Sequence, residues 1–340
     1  MAKLPESTTS GIALIDVHTH VGVDPKLYLG HSLPFCRSLD VSHAEAVGVG
    51  ITHSVCFPWV TSLYYDLQEL AKSGNVVLSG NGIGDAPYHF ENEQMLRQLY
   101  ETFPDFVPQF VPFVIVDTMR ETTKQVDILT RLLDKYPFYG IKVHPRDAQA
   151  PVMTLDTEGA PILNFAREHD FPILIHGAAT DIDPLSQVTD IMELATRHPD
   201  LRWCAAHFCS FNEGLFDRVD KMDNVWVDSA AMSIGCDTVM AGMNIYETGP
   251  AKIDADYSKP EDVFRALAER FPDSFMFGTD NPAHSWIDTT TYASGEVVHY
   301  DLRSSMEREK SMLSLLSGEI LEKVSYRNAL KFIEGGKKGD

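Results

Sequence analysis

The sequence has few positive charges and no cysteine arrangement that would cross-link the chain. Lysine and arginine number 28 against 49 aspartates and glutamates, so the formal net charge is −21. Phosphate binding needs clustered basic side chains, so this balance argues against a nucleic-acid partner and against binding to an anionic membrane surface. The 5 cysteines are odd in number and form no CxxC pair, which argues against a disulfide framework.

Several other signals are missing. No apolar run approaches the roughly 20 residues of a membrane helix, and residues 1–11 lack the basic and then apolar pattern of a signal peptide. We therefore expect a cytoplasmic protein. No GxGxxG follows the first apolar run, and neither a GxSxG elbow nor a Walker loop occurs, so the sequence lacks the marks of dinucleotide, serine-hydrolase and P-loop sites.

The sequence does contain a regular alternation of apolar runs with amphipathic segments. Eight runs are almost continuously apolar, as strands buried on both faces are. These strand candidates are Ile12–Val17, Ile51–Phe57, Phe110–Val116, Tyr139–Val143, Ile173–His176, Leu201–His207, Val225–Val227 and Ser274–Gly278. Eight strands alternating with helices predict one α/β domain over 1–340, a (β/α)₈ TIM barrel. An open, doubly wound sheet is the alternative.

The amphipathic segments carry helix signals of their own. Pro161–His169 has an apolar side, Asp183-Pro184 resembles an N-cap followed by a first-turn proline, and Pro260 opens another helix. Stretches without periodicity directly follow strand candidates one, seven and eight, at 21–40, 230–259 and 281–305. We expect extended loops there, at the end of the barrel where active sites are built.

Polar side chains follow four of the apolar runs. His18 and His20 follow the first run and, two residues apart, share a strand face. Three later runs end in His176, His207 and Asp280. Because the carboxyl ends of barrel strands meet at one rim, we expect these five side chains to converge. Imidazoles and a carboxylate suit a divalent cation, with Zn²⁺ as the first choice and Mn²⁺ or Fe²⁺ as alternatives.

This ordered set resembles the amidohydrolase superfamily, and within it the amidohydrolase-related (amidohydrolase 2) branch of metal-dependent TIM-barrel enzymes. The hallmarks are an HxH after strand 1, a histidine after strand 5, a histidine after strand 6 and an aspartate after strand 8. The segments NVWVDSAA and YRNALKF also resemble the branch's seventh strand and C-terminal helix. The resemblance spans nearly the whole chain and implies a metal-dependent enzyme and a homodimer, but it does not specify the substrate.

From these residues we interpret His18, His20, His176 and Asp280 as metal ligands. Asp280 also serves as the general base, and His207 hydrogen-bonds the water or polarises a substrate carbonyl, or becomes a ligand if two ions bind. A cation with an open position lowers the pKa of its bound water to about 7. The predicted reaction is attack of that water on an acyl C–O or C–N bond of a lactone, ester or amide.

Two other functions stay open. The same site would serve a metal-dependent, non-oxidative decarboxylase of a small aromatic or dienoic carboxylic acid, because the branch that the sequence resembles also contains decarboxylases. A non-catalytic barrel that binds a metabolite or stores metal is the third interpretation. The presence of all five site residues weakens that third interpretation.

Lys142 and His144 share one face of the fourth strand candidate, opposite Ile141 and Val143, and would enter the barrel mouth. Three interpretations of Lys142 remain. The resemblance implies that it is carboxylated and bridges two metals, as in some superfamily members. Its ammonium would otherwise bind a substrate carboxylate, or it would reach solvent at the rim.

Loop residues supply the remaining candidates for contact with a small-molecule substrate, which has a carboxylate as one option. Arg37 suits a bidentate carboxylate contact and Trp59 suits a pocket wall, and His284 follows the eighth strand candidate. Weaker candidates are His31, Arg146 and Trp286. Asp16, two residues before His18, would point inward and orient a ligand imidazole.

Overall fold

The computed structural model describes residues 13–243, 245, 246, 249–291, 297–336 and 338, so Ile12 of the first strand candidate lies outside it. Its centre is a ring of parallel strands that we label β1 to β8 in chain order. Their bounds are β1 Ile15–Val23, β2 His53–Pro58, β3 Phe110–Pro112 with Val114–Val116, β4 Ile141–Val143, β5 Ile173–Ile175, β6 Trp203–Ala205, β7 Val225–Asp228 and β8 Phe275–Met276. Each neighbouring pair from β1 to β8 is parallel.

The ring is completed at two places where few backbone hydrogen bonds carry the pairing. Between β8 and β1, the Val17 N–H donates to the carbonyl of Phe277 at 3.1 Å, and Thr19 forms a parallel bridge with Asn281. Within β3, Phe113 interrupts the ladder, but its N–H donates to Cys56 of β2 at 2.8 Å. The predicted (β/α)₈ barrel is therefore confirmed, and the open-sheet alternative is wrong.

Helices follow the strands and cover the outside of the ring. The α-helices are Pro25–Leu29, Leu39–Val49, Leu67–Ser73, His89–Arg97, Thr122–Leu133, Pro145–Ala148, Ala160–His169, Val188–Arg197, Glu213–Asp220, Met232–Met240, Pro260–Arg270, Met306–Ser311, Gly318–Glu322 and Asn328–Glu334. Shorter 3₁₀ or π turns occupy Gln98–Thr102, Pro104–Phe106, Val152–Asp156, Phe208–Phe211, Met312–Leu315 and Lys323–Arg327. None of the described helices is both long and apolar enough to cross a bilayer.

Two of the three helix starts are confirmed and one is wrong. The helices that begin at Ala160 and Pro260 lie where the sequence predicts them. The helix predicted from Asp183-Pro184 begins instead at Val188. The backbone of Ala178 explains the difference, because it accepts the Val188 N–H and donates to Ser186, which holds that segment in a loop.

Strand residues alternate between an outer and an inner environment, as extended chains require. In β4, Ile141 and Val143 pack in the core cluster that faces the helices, whereas Lys142 points into the ring. Trp226 of β7 fills the interior together with Phe332 of the C-terminal helix. The interior of the barrel is thus an apolar core over most of its length and a polar chamber at the carboxyl ends of the strands.

Extended connections frame that chamber after β1, β7 and β8, as expected. The first contains the short strand Cys36–Arg37, the second the helix Met232–Met240, and the third an antiparallel hairpin of Trp286–Thr291 with Val297–Leu302. The connection after β2, which was not predicted to be long, spans 59–88 and contains the helix Leu67–Ser73.

Gly140 tests the packing beneath β4. A Cβ added there would lie 2.4 Å from the ring of Phe113, which is fully buried. We expect Gly140→Ala to lower the free energy of unfolding by about 1–3 kcal/mol, as overpacking does. Gly48→Ala is the control, because a Cβ there meets open space on a helix, and it should raise stability by about 0.5–1 kcal/mol. Urea unfolding followed by circular dichroism measures both, and a G140A midpoint equal to wild type would contradict this packing.

Candidate active site and metal centre

Three predicted ligands converge at the carboxyl end of the barrel. The Nε2 atoms of His18 and His20 lie 3.3 and 3.2 Å from Oδ1 of Asp280. All three side chains are buried, and Oδ1 has no hydrogen-bond partner among the described residues. Buried polar atoms are normally satisfied, so an unpartnered carboxylate oxygen facing two imidazole nitrogens fits a divalent cation with N and O ligands.

A one-residue bulge in β1 turns the two histidines inward. Asp16 pairs with Ser54 of β2, but Thr19 pairs with Cys56, so β1 contains one extra residue between them. Asp16 and His18 therefore do not share a face. Asp16 accepts the backbone N–H groups of His18 and Thr279 at 3.1 and 2.9 Å, which ties β1 to the loop after β8. Its predicted role as the partner of a ligand imidazole is wrong.

Asp280 is held rigidly by its own backbone. It has a left-handed φ of 61°, its N–H donates to the carbonyl of His18 at 2.8 Å, and its carbonyl accepts the N–H of His284 at 3.0 Å. Burial opposes ionisation of the carboxyl, but the imidazoles of His18, His207 and His20 outweigh it and hold the pKa of Asp280 well below its usual range. The carboxylate is therefore ionised at neutral pH.

A second pair of imidazoles borders the same space. Nδ1 of His176 lies 2.8 Å from Nε2 of His207, and Nδ1 of His207 lies 3.1 Å from the carbonyl oxygen of Ala230. Burial lowers the pKa of His207 to about 4, so the ring is neutral at pH 7. A carbonyl only accepts, so Nδ1 of His207 carries the proton and its Nε2 accepts a hydrogen bond from Nδ1 of His176. The ring centroids of His207 and His18 are 5.2 Å apart.

His176 contacts His207, which in turn lies beside His18, so His176 is not in direct contact with the converging ligands. Among the described residues, the group of three or more His, Cys, Asp or Glu side chains whose ligand atoms all lie within 4.8 Å of one another is His18, His20 and Asp280. Nδ1 of His176 faces His207 instead, and its Nε2 lies 3.5 Å from Oδ2 of Asp183. Its role as a fourth metal ligand stays a prediction.

Lys142 occupies the floor of the chamber. Its Nζ lies 3.0 Å from Nε2 of His18 and 4.6 Å from the ring centroid of Phe57, and its side chain is fully buried. The interpretation in which it reaches solvent at the rim is wrong, because the alternation of β4 turns it inside. Desolvation lowers the pKa of Lys142 to about 8, although Asp228 and Asp280 oppose the shift.

Two carboxylates that contact these imidazoles were missed. Asp228 ends β7, and its Oδ2 lies 2.8 Å from Nδ1 of His18. It follows the apolar run of β7, the same signal that identified His176, and could have been found that way. Asp183 was interpreted as a helix N-cap, and its proximity to His176 has no local sequence signal.

Two of the candidate substrate-binding residues extend the imidazole cluster. His144 is buried and stacks on His176 with ring centroids 4.1 Å apart, and its Nδ1 accepts the N–H of Asp147. Trp59 is buried and stacks on His20 at 5.0 Å. The side chains of His144 and Trp59 therefore line the chamber next to predicted ligands.

The other loop candidates make separate contacts. His284 is buried next to the backbone of Asp280, and burial lowers its pKa to about 4. Arg37 pairs with Glu45 at 2.9 Å. The weaker candidates are dispersed: His31 is exposed, Arg146 is half-exposed, and Trp286 stacks on Tyr300 in the hairpin.

Comparisons with known proteins identify a related family and fold. The family profile described as amidohydrolase matches residues 15–334. Similar solved structures include an amidohydrolase from Burkholderia multivorans (13% identity, 95% of this chain and 99% of that chain, TM-score 0.59). Others are 2,6-dihydroxybenzoate decarboxylase from Rhizobium (12%, 95% and 99%, 0.58) and dihydroorotase from Campylobacter jejuni (16%, 94% and 83%, 0.51). At these identities the likeness shows the fold alone, and no protein of curated function matches the sequence.

The buried position of Lys142 predicts a distinctive pH dependence of stability in the metal-free protein. Its pKa falls from 10.5 when unfolded to about 8 when folded. Between these values the unfolded chain holds a proton that the folded chain has lost, so the free energy of unfolding rises with pH. Relative to Lys142→Met, wild type should gain up to about 3 kcal/mol from pH 8 to pH 10.5.

Urea unfolding at a series of pH values measures this gain. Lys72→Met serves as the control, because Lys72 is 80% exposed and its removal should leave the pH profile unchanged. Parallel profiles for wild type and K142M would show that Lys142 has the same pKa in both states.

Proposed function

The chain belongs to the amidohydrolase family of metal-dependent enzymes, and from that premise we propose that it is a hydrolase of small molecules. The proposed target is an acyl C–O or C–N bond, as in a lactone, ester or amide. The observation that carries the proposal is the unpartnered, buried Oδ1 of Asp280 facing Nε2 of His18 and of His20.

We propose that His18, His20 and Asp280 hold the cation, with His176 as the fourth ligand and Zn²⁺ ahead of Mn²⁺ and Fe²⁺. When bound, such a cation supplies Lewis acidity, which lowers the pKa of a water and polarises a substrate oxygen. The protein groups around it then decide where protons are held and how the substrate is oriented.

Asp280 is the proposed general base. It takes a proton from the attacking water as the new C–O bond forms, and it delivers that proton to the oxygen or nitrogen that leaves the acyl carbon. Its carboxylate is ionised and available at neutral pH. His207 presents a lone pair at Nε2, because its Nδ1 donates to the carbonyl of Ala230. That lone pair accepts a hydrogen bond from Nδ1 of His176, 2.8 Å away, so His207 would accept one from the water only with His176 displaced, and in this tautomer it does not polarise a carbonyl.

The substrate contacts are proposed from the walls of the chamber. The ammonium of Lys142 donates to His18 and lies over the ring of Phe57, and it has three N–H donors, so we propose that a further one pairs with a substrate carboxylate. Trp59 and His144 would pack against the body of the substrate, and His284 and Arg37 remain outer candidates. Carboxylation of Lys142 would instead give a ligand between two cations.

A decarboxylase acting on a small aromatic or dienoic carboxylic acid is the second candidate, and the position of Lys142 favours it. An ammonium on the chamber floor beside His18 would hold a carboxylate against the cation site. The C–C bond to that carboxylate would break, carbon dioxide would leave, and the carbon would take up a proton. One similar solved structure carries the name 2,6-dihydroxybenzoate decarboxylase.

We also propose that residues 1–340 form a single domain and that the protein is a cytoplasmic homodimer. The dimer is proposed from the family that the chain belongs to, and the location from the sequence. Size-exclusion chromatography with light scattering measures the oligomeric state directly.

Removal of the proposed base tests the reaction. Turnover of lactones, esters, amides and aromatic carboxylic acids is measured with added Zn²⁺ or Mn²⁺, and acid release is distinguished from carbon dioxide release. Asp280→Asn should lower kcat by about 100-fold or more, the scale of general-base catalysis. Asp200→Asn, at an exposed ion pair with Arg167, should retain wild-type turnover. Wild-type kcat in D280N would reject the proposed base.

Metal binding is tested without any substrate. Chelator-treated protein should bind Zn²⁺, measured by calorimetry, and His20→Ala should weaken binding by at least about 100-fold because it removes a direct ligand. His299→Ala is the matched control, since His299 is exposed on the hairpin. Equal Zn²⁺ affinity in H20A and wild type would place the cation elsewhere.

A further inference from the structure

One carboxylate, Asp228, contacts both parts of the candidate site. We propose that it is a positioning residue that determines which nitrogen of His18 faces the chamber and that anchors the backbone of His207. Its consequence for cation binding rests on the proposed function, but the effect on His18 does not.

The contacts of Asp228 use both of its oxygens. Oδ2 lies 2.8 Å from Nδ1 of His18, and Oδ1 accepts the N–H of His207 at 2.8 Å and that of Ala230 at 3.2 Å. The side chain is completely buried. Asp228 is thus occupied by neighbours within the protein, and the imidazole of His18 separates it from Asp280. It is placed to orient a ligand rather than to act as one.

The two ends of the His18 ring indicate the same tautomer. A carboxylate only accepts hydrogen bonds, so Nδ1 of His18 donates to Asp228 and Nε2 keeps a lone pair. At the other end, the ammonium of Lys142 only donates, and it lies 3.0 Å from that Nε2. The opposite tautomer would set an N–H of His18 against the N–H groups of Lys142. Asp228 therefore keeps a lone pair on Nε2, which accepts a hydrogen bond from Lys142 in this structure and would be offered to the proposed cation when one is bound.

The second contact holds an unusual stretch of backbone. His207 to Phe211 are five consecutive non-glycine residues with φ between +42° and +68°. A left-handed conformation is unfavourable at each of them, so the surrounding structure must hold the segment. Asp228 accepts the first N–H of this turn, and Ser210 accepts the N–H of Ala179 further along. The same carboxylate thereby places the side chain of His207.

Asp228→Asn is the decisive change, because it keeps the shape and exchanges one acceptor for a donor. If the amide oxygen retains the N–H of His207, the amide nitrogen faces Nδ1 of His18 and must donate to it. His18 should then carry its proton on Nε2. Long-range ¹H–¹⁵N spectra of histidine-labelled, metal-free protein report the tautomer, with the His18 signals assigned from a His18→Gln variant. A buried residue with only a structural role would not switch this tautomer.

Co²⁺ affinity, measured by competition with a chromophoric chelator, is the second readout. D228N should bind Co²⁺ about 10- to 100-fold more weakly, as loss of a partner behind a ligand histidine does. Asp228→Glu should keep the Nδ1–H tautomer of His18 because it retains a carboxylate. Asp223→Asn, at an exposed position before β7, is the control and should match wild type in both measurements.

The outcomes separate this inference from the proposed function. An Nδ1–H tautomer and wild-type Co²⁺ affinity in D228N would overturn the positioning role. Should D228N fail to fold, an Nε2–H tautomer in D228E would overturn it equally. If D228N shows the tautomer switch but the wild-type protein binds no Co²⁺, the positioning role is supported and the metal-dependent function is rejected.

Discussion

Polar groups sealed inside the ring of strands must satisfy one another, and this constraint organises the whole carboxyl end of the barrel. His18 lies at its centre, with Asp228 at Nδ1 and both Asp280 and Lys142 at Nε2. These three partners come from β4, β7 and the loop after β8, so their contacts with His18 of β1 also connect distant parts of the ring. An unsatisfied charge in this position would be costly, and Oδ1 of Asp280 is one of the buried atoms that the described residues leave without a hydrogen-bond partner.

The alternation of side chains along each strand turns this polar network into a site. Below it, Leu174 and Trp226 belong to an apolar interior core. Two residues further along β7, the same inward face presents Asp228 instead of an apolar ring. Trp203 and Ala205 of β6 face the helices and keep the strand in place. The apolar layers of the barrel thus make the scaffold rigid, and the polar layer at its carboxyl end provides the reactive side chains.

This layering explains how much the sequence could predict. Apolar runs with a polar residue at the end identify the strands. The alternation of side chains along β4 correctly predicts that Lys142 points inward. The bulge in β1 could not be predicted, because it depends on the register with β2 and removes Asp16 from the face of His18. The start of the helix after β5 was missed for a related reason, since Ala178 pairs with Ser186 and Val188 later in the same connection and overrides the Asp183-Pro184 signal.

Charge balance connects this arrangement to the proposed chemistry. The ionisable side chains that contact the His18 ring are Asp228, Asp280 and Lys142, and with all three ionised two negative charges and one positive charge leave a sum of −1. A divalent cation would change that sum to +1 in a chamber of low dielectric constant, where an unbalanced charge strongly attracts its opposite. The site would then favour an anion next to the cation. Both an attacking hydroxide and a substrate carboxylate meet that requirement, which is why hydrolysis and decarboxylation are natural alternatives for one set of residues.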